Sequence, residues 1–82
     1  GDMNIQNQIS VYPTVSDGNF NLDFAKNSDA KVSVFNMSGQ QVYENVYKAQ
    51  NNVRLNLTLA PGVYVLKVQA GEKIHSQKII IR

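Results

Sequence analysis

The sequence predicts an all-β domain, a two-sheet antiparallel sandwich of about seven strands. Three observations carry that expectation. Apolar and polar residues alternate along most of the chain, turn-forming residues interrupt the alternation at short intervals, and no long segment has the apolar spacing of an amphipathic helix.

Taken in order, "ISVY" is a first short strand that Pro13 closes, because proline has no amide hydrogen to give a ladder. Asp17 and Gly18 form the next turn, with the aspartate capping local amides. "NFNLDF" sets Phe20, Leu22 and Phe24 on one face and Asn19, Asn21 and Asp23 on the other. "KVSVFN" turns Val32 and Val34 inward, and "MSGQ" reverses the chain where Gly39 can take a positive φ. "QVYENVY" is a fourth strand. In "NVRLNLTL", Val53, Leu55, Leu57 and Leu59 share a face while Arg54, Asn56 and Thr58 meet water. "APG" breaks that run. "VYVLKVQ" then pairs with "KIHSQKIII" across a tight "AG" connection, with Tyr64, Leu66 and Val68 pointing inward. The topology expected is Ig-like, although neither the cysteine pair nor the core tryptophan of antibody domains is present. A small barrel satisfies the same pattern.

The closing "KIIIR" raises a question of its own. Terminal residues fray unless something ties them down, so an apolar end must be packed, recognised by a partner, or both. In a strand, Ile79 and Ile81 lie on one side of the pleat and Ile80 on the other. Such a run belongs to a central strand, or to one that leaves an apolar face for docking.

With 82 residues the chain holds one small domain. It contains no cysteine, which rules out a disulfide framework or a thiolate metal site, so burial and strand pairing must supply the stability. "GDM" at the start reads as a remnant of cloning, with residues 1–8 a linker and residues 9–82 the domain. No stretch is long and apolar enough for a membrane span. Up to Gly62 four basic residues face five acidic ones, a net charge of −1; from Val63 to Arg82 four basic residues face only Glu72, a net charge of +3. Four spaced charges with one exposed aromatic at most describe a solvated face better than a nucleic-acid or membrane surface.

No residue pattern supports catalysis or a cofactor. His75 is the only histidine, with no serine or cysteine nucleophile motif to match it, and reads as a strand surface residue. The acidic residues are scattered, so no carboxylate pair can take acid and base roles. "SDGN" resembles the start of a calcium loop but lacks the later oxygen ligands, which leaves no metal site. "NMS" at Asn36 and "NLT" at Asn56 match the glycan acceptor pattern, a short motif that matters only in a eukaryotic secretory route. Tyr12, Tyr43, Tyr47 and Tyr64 are assigned to separate strands, which favours buried rings with hydroxyls at the edge over a sugar-binding platform.

The motifs gain meaning from their order. "VYP", "GNFNLDF", "KVSVFNMSGQQVY", "LNLTLAPGVYVLKV" and "GEKIHSQKIIIR" together resemble the type A C-terminal sorting domain of the type IX (Por) secretion system of Bacteroidetes, from Ile9 to Arg82. Pro13 matches the proline of the first motif and Gly18 the glycine that opens the second strand. Val32, Val34, Asn36 and Gly39 match the strand-turn pattern. Leu59, Gly62, Tyr64, Leu66 and Val68 match the most characteristic segment, and Lys78, Ile79, Ile80 and Ile81 the closing run. One departure is visible: the family usually has "PNP" after the first strand, and this chain reads "PTV".

The resemblance implies an address rather than an enzyme, with no cofactor. The expected partners are the type IX translocon and outer-membrane shuttle components, a sortase-like surface peptidase that removes the domain, and an N-terminal cargo domain in the same chain, with no nucleic acid. The domain is expected in the periplasm in transit and then at the cell surface or outside the cell. Its recognised surface is expected on the hairpin from Gly62 to Arg82, through Gly62, Tyr64, Lys67, Lys78, Ile79, Ile80, Ile81 and Arg82, with the free last strand offering backbone pairing to a partner. Pro13, Gly18 and Gly39 are expected to be structural. A different class, an Ig-like adhesion, carbohydrate-binding or spacer module of a surface protein, fits the same fold. A spacer is expected to continue beyond Arg82, whereas a sorting domain ends the natural protein.

Overall fold

Pro13 does end the first strand: β1 covers Ile9–Tyr12, and the Tyr12–Pro13 bond is cis. A computed structural model describes residues 9–82; the linker expected over residues 1–8 lies outside the described residues. The further strands are β2 (Val15–Ser16), β3 (Asn19–Asn36), β4 (Gln41–Asn56), β5 (Gly62–Ala70) and β6 (Lys73–Ile81).

All seven expected segments are extended, but four of them are halves of two long strands. "NFNLDF" and "KVSVFN" are the ends of β3, and "QVYENVY" and most of "NVRLNLTL" are the ends of β4. The polar stretch between the halves of β3 reads as a break in sequence. It contains neither glycine nor proline, so the backbone stays extended and only shifts register, between Asp23 and Ser28 and again between Ser28 and Ala30. On the facing strand Ala49 takes a φ of 52°, and its amide donates to Asp29 Oδ1 at 2.9 Å.

These two bends build the sandwich. The first half of β3 pairs with β1 on one side and the second half of β4 on the other. Its second half pairs with the first half of β4 and with β5, and the ladder continues through β6 to β2. The result is a single mixed sheet wrapped over itself, close to a barrel and consistent with an Ig-like all-β fold. Phe20, Leu22, Phe24, Val53 and Leu55 from one layer meet Val32, Val34, Leu66, Val68, Ile79 and Ile81 from the other. Every inward assignment made from the alternation is buried except Leu59, which packs at the core margin.

Two reversals show how the turns hold. After β3, Asn36 Oδ1 accepts from the amides of Ser38 and Gln40, each at 3.0 Å, and Gly39 takes a φ of 86°. Asn36 thus works as a turn organiser, and its Nδ2 donates to Gln40 Oε1. The β5–β6 hairpin lies one residue later than "AG": Ala70 is still in the ladder opposite Lys73, and Gly71-Glu72 make the two-residue loop, because glycine suits the first position of this turn class.

The tyrosines are not on four separate strands. Tyr43 and Tyr47 share β4, four residues apart on one face, and their hydroxyls meet at 2.8 Å. Burial, and then the bond to Tyr43, pushes the Tyr47 hydroxyl up to about 12 from its ordinary 10.0. A folded value raised above the unfolded one stabilises fully below about pH 10 and is lost as pH climbs through about 12. Melting temperature is therefore expected to fall across that window, and to fall less in Tyr47→Phe.

Candidate docking face on the C-terminal hairpin

The end of β6 is the best-anchored part of the hairpin. β5 pairs with it antiparallel from Gly62 to Ala70, and β2 flanks it in parallel through Val15 opposite Ile80 and Ser16 opposite Ile81. Ile80 N–H donates to the Thr14 carbonyl at 2.8 Å, and Arg82 N–H to the Ser16 carbonyl at 2.9 Å. Ser16 is buried, and its Oγ accepts from Gly18 N–H at 3.0 Å. The free strand end expected from sequence is thus already paired on both sides, since a two-residue strand from the other end of the domain covers it. Among the described residues, the unpaired edge of β6 is the stretch before it, from Lys73 to Lys78.

The pleat divides the expected recognition residues into two groups. Tyr64, Ile79 and Ile81 are buried in the core, where a partner of the folded domain cannot reach them. Lys67, Lys78, Ile80 and Arg82 lie on the opposite, outward face, Ile80 half-buried and the three cations exposed. Gly62 sits at the start of β5 with an ordinary backbone, and a Cβ there would meet the Tyr64 ring at 3.7 Å, so nothing local demands glycine. Pro13 and Gly39 are exposed turn residues, whereas Gly18 is buried.

Tyr64 explains much of the "APGVY" motif. Its ring is in the core and its hydroxyl donates to the Ala60 carbonyl at 2.6 Å, four residues back, pinning the loop that leads into β5. A tyrosine near a strand start bonded to backbone upstream is a recurrent corner of β-sandwiches. Tyr64→Phe is expected to cost about 1–2 kcal/mol, read as a lower urea midpoint with an unchanged slope.

Four further residues surround Ile80 and Lys78 on the outward face, and Ile74, 60% exposed, stands on the same side of β6 near the hairpin turn. Val63 and Val15 flank Ile80 across the ladder, at 37% and 39% exposure, while Phe35 pairs with Val65 and Val65 with Lys78. The signal for β5 was present in "VYVL", an unbroken apolar run that must place side chains on both faces. A shallow cleft of about 120 Å³ continues the face between Lys31, Ser33, Phe35, Gln41, Lys67 and Gln69. Lys31 is paired with Glu44 at 2.9 Å; no carboxylate among the described residues pairs with Lys67, Lys78 or Arg82.

The opposite outer surface is different in kind. Asp23 accepts from Tyr12 Oη at 2.7 Å and from Asn52 Nδ2, and that bond with Asp23 holds the Tyr12 hydroxyl above its usual range. Asn19, Asn21, Arg54 and Asn56 complete a wet, asparagine-rich sheet. His75 is half-buried against Val68, with Nε2 shielded and unpartnered among the described residues, so it is not the surface residue expected from sequence.

The small all-β domain thus holds its final strand between β5 and β2 and turns one apolar, cationic face outward. Residues 10–82 match the family described as the secretion system C-terminal sorting domain, and the chain belongs to that family. No curated protein matches it. The family makes the domain a sorting signal for type IX secretion, an export route to the cell surface or the extracellular space.

Proposed function

We propose that this domain is the export address of a cargo protein joined to its N-terminal side, read by the outer-membrane translocon and its shuttle components after the domain has folded in the periplasm. A sortase-like surface peptidase then removes the domain within the segment preceding Ile9, releasing or anchoring the cargo. The observation that carries the reading is the family match, which spans both the β2 segment and the β6 strand that it locks. The outward residues of the Gly62–Arg82 hairpin are the ones a folded address can present: Lys67, Lys78, Ile80 and Arg82.

The test is a fusion of residues 4–82 behind a periplasm-targeted fluorescent protein, in a type IX-competent bacterium and in the same strain lacking the translocon. Export is expected only in the competent strain, with the exported reporter shortened by the mass of the domain. Periplasmic retention of a folded fusion in both strains would favour the adhesion-module reading.

A further inference from the structure

The outer face of the β3–β5–β6–β2 layer is apolar at its centre and cationic at its rim. Val63, Ile80 and Val15 form one row across three strands, and Phe35 and Val65 form the next. Lys78 and Arg82 stand on either side of Ile80 along β6, with their Cα atoms about 13 Å apart at strand spacing. Lys67 lies diagonally across from Lys78, in the row of Ser76 and Ser33. Among the described residues Glu44 is the acidic side chain on this face and Lys31 takes it, which leaves Lys67, Lys78 and Arg82 without a carboxylate side-chain partner there.

We infer that this face docks an acidic protein surface, one that presents an aliphatic side chain against the Val63–Ile80–Val15 row and carboxylates on both sides of it toward Lys78 and Arg82. This rests on the sorting reading and supplies the chemistry of the partner. Charge complementarity selects the occupant. A second copy of the chain does not fit. Asp23 is bonded to Tyr12 and Asn52, Asp29 to Ala49 and Lys48, and Glu44 to Lys31, while Asp17 and Glu72 lie in separate turns, so the described residues offer no acidic row of their own. A lipid surface fits less well. Its ligands insert protruding aromatic or long apolar side chains and gather many cations, whereas here three cations flank a flat row of β-branched residues, and Ile74, 60% exposed, stands apart from them at the hairpin end of β6. The face also draws on β2, β3, β5 and β6 together, so it exists only once β2 has closed on β6, which lets a partner distinguish the folded domain from an extended tail.

The test measures binding of the immobilised 82-residue chain to a purified, detergent-solubilised type IX translocon at 50 and 300 mM salt, beside anionic lipopolysaccharide vesicles. Variants are K67E/K78E/R82E, the charge-preserving K67R/K78R, and R54E on the opposite face, each checked for its circular dichroism spectrum and melting temperature. The expected result is translocon binding that weakens at least tenfold at the higher salt and at least thirtyfold in the triple reversal, with K67R/K78R and R54E near wild type. Tight translocon binding that the triple reversal leaves unchanged would overturn the acidic-partner inference while leaving the sorting reading intact. Absence of any wild-type binding to the translocon would overturn both, and charge-dependent binding to vesicles alone would replace the protein partner with a lipid.

Discussion

Gly18→Ala should destabilise the domain by about 3 kcal/mol, a large share of the roughly 5 kcal/mol expected of a fold this size. Two independent features forbid a side chain there. Gly18 has a φ of 128°, which residues with a Cβ rarely adopt, and the added Cβ would lie 2.4 Å from the Leu57 carbonyl oxygen. That obstacle is backbone, so no rotamer change relieves it. Nor can the strands move apart cheaply, because Leu57 N–H donates to the Gly18 carbonyl at 2.8 Å and Gly18 N–H to Ser16 Oγ. The damage should spread to β2, and through it to the end of β6. Urea unfolding would show the lowered midpoint, and amide exchange at Ile80 and Arg82 should accelerate in the same variant.

The second large effect contrasts neighbours in the isoleucine run. Ile79 is fully buried and Ile81 nearly so, whereas Ile80 faces outward. Ile79→Ala is expected to cost about 3–4 kcal/mol through lost burial and the cavity left behind, and Ile81→Ala nearly as much. Ile80→Ala should cost about 1 kcal/mol or less, because its half-buried side chain leaves no enclosed cavity. Equal losses at all three positions would mean that the strand is buried on both faces and that no docking face exists. The contrast also separates folding from recognition: the outer two isoleucines belong to the core, and only the middle one is available to a partner.

Much of this could be read directly from the residues. Strict alternation in "NFNLDF" and "VRLNL" assigned the inner faces, because one polar face in water and one apolar face in the core leave little freedom of register. The Gly71-Glu72 hairpin was legible for the same reason, to within one residue. What escaped was non-local. Val15–Ser16 is too short to show any period, and its parallel partner lies more than sixty positions away, so nothing local announces that it closes the C-terminal strand. The bend of β3 reads as a break because composition signals polarity, whereas continuity depends on whether the backbone can stay extended. The Tyr43–Tyr47 contact needs only the period-two rule, which places residues four apart on the same face.

The outward face was half legible. Lys67, Lys78, Ile80 and Arg82 came from the motif resemblance and alternation, but Phe35 and Val15 join them only through cross-strand register. A recognition surface assembled from four strands has no linear signature.

The most direct measurement is export of the fluorescent fusion carrying Ile80→Lys, beside wild type and Ile80→Val, with each isolated domain checked for a cooperative melt. The expected result is wild-type export for valine and periplasmic retention for the folded lysine variant. Export of the lysine variant at the wild-type level would contradict recognition through this face and leave "KIIIR" with a purely structural role.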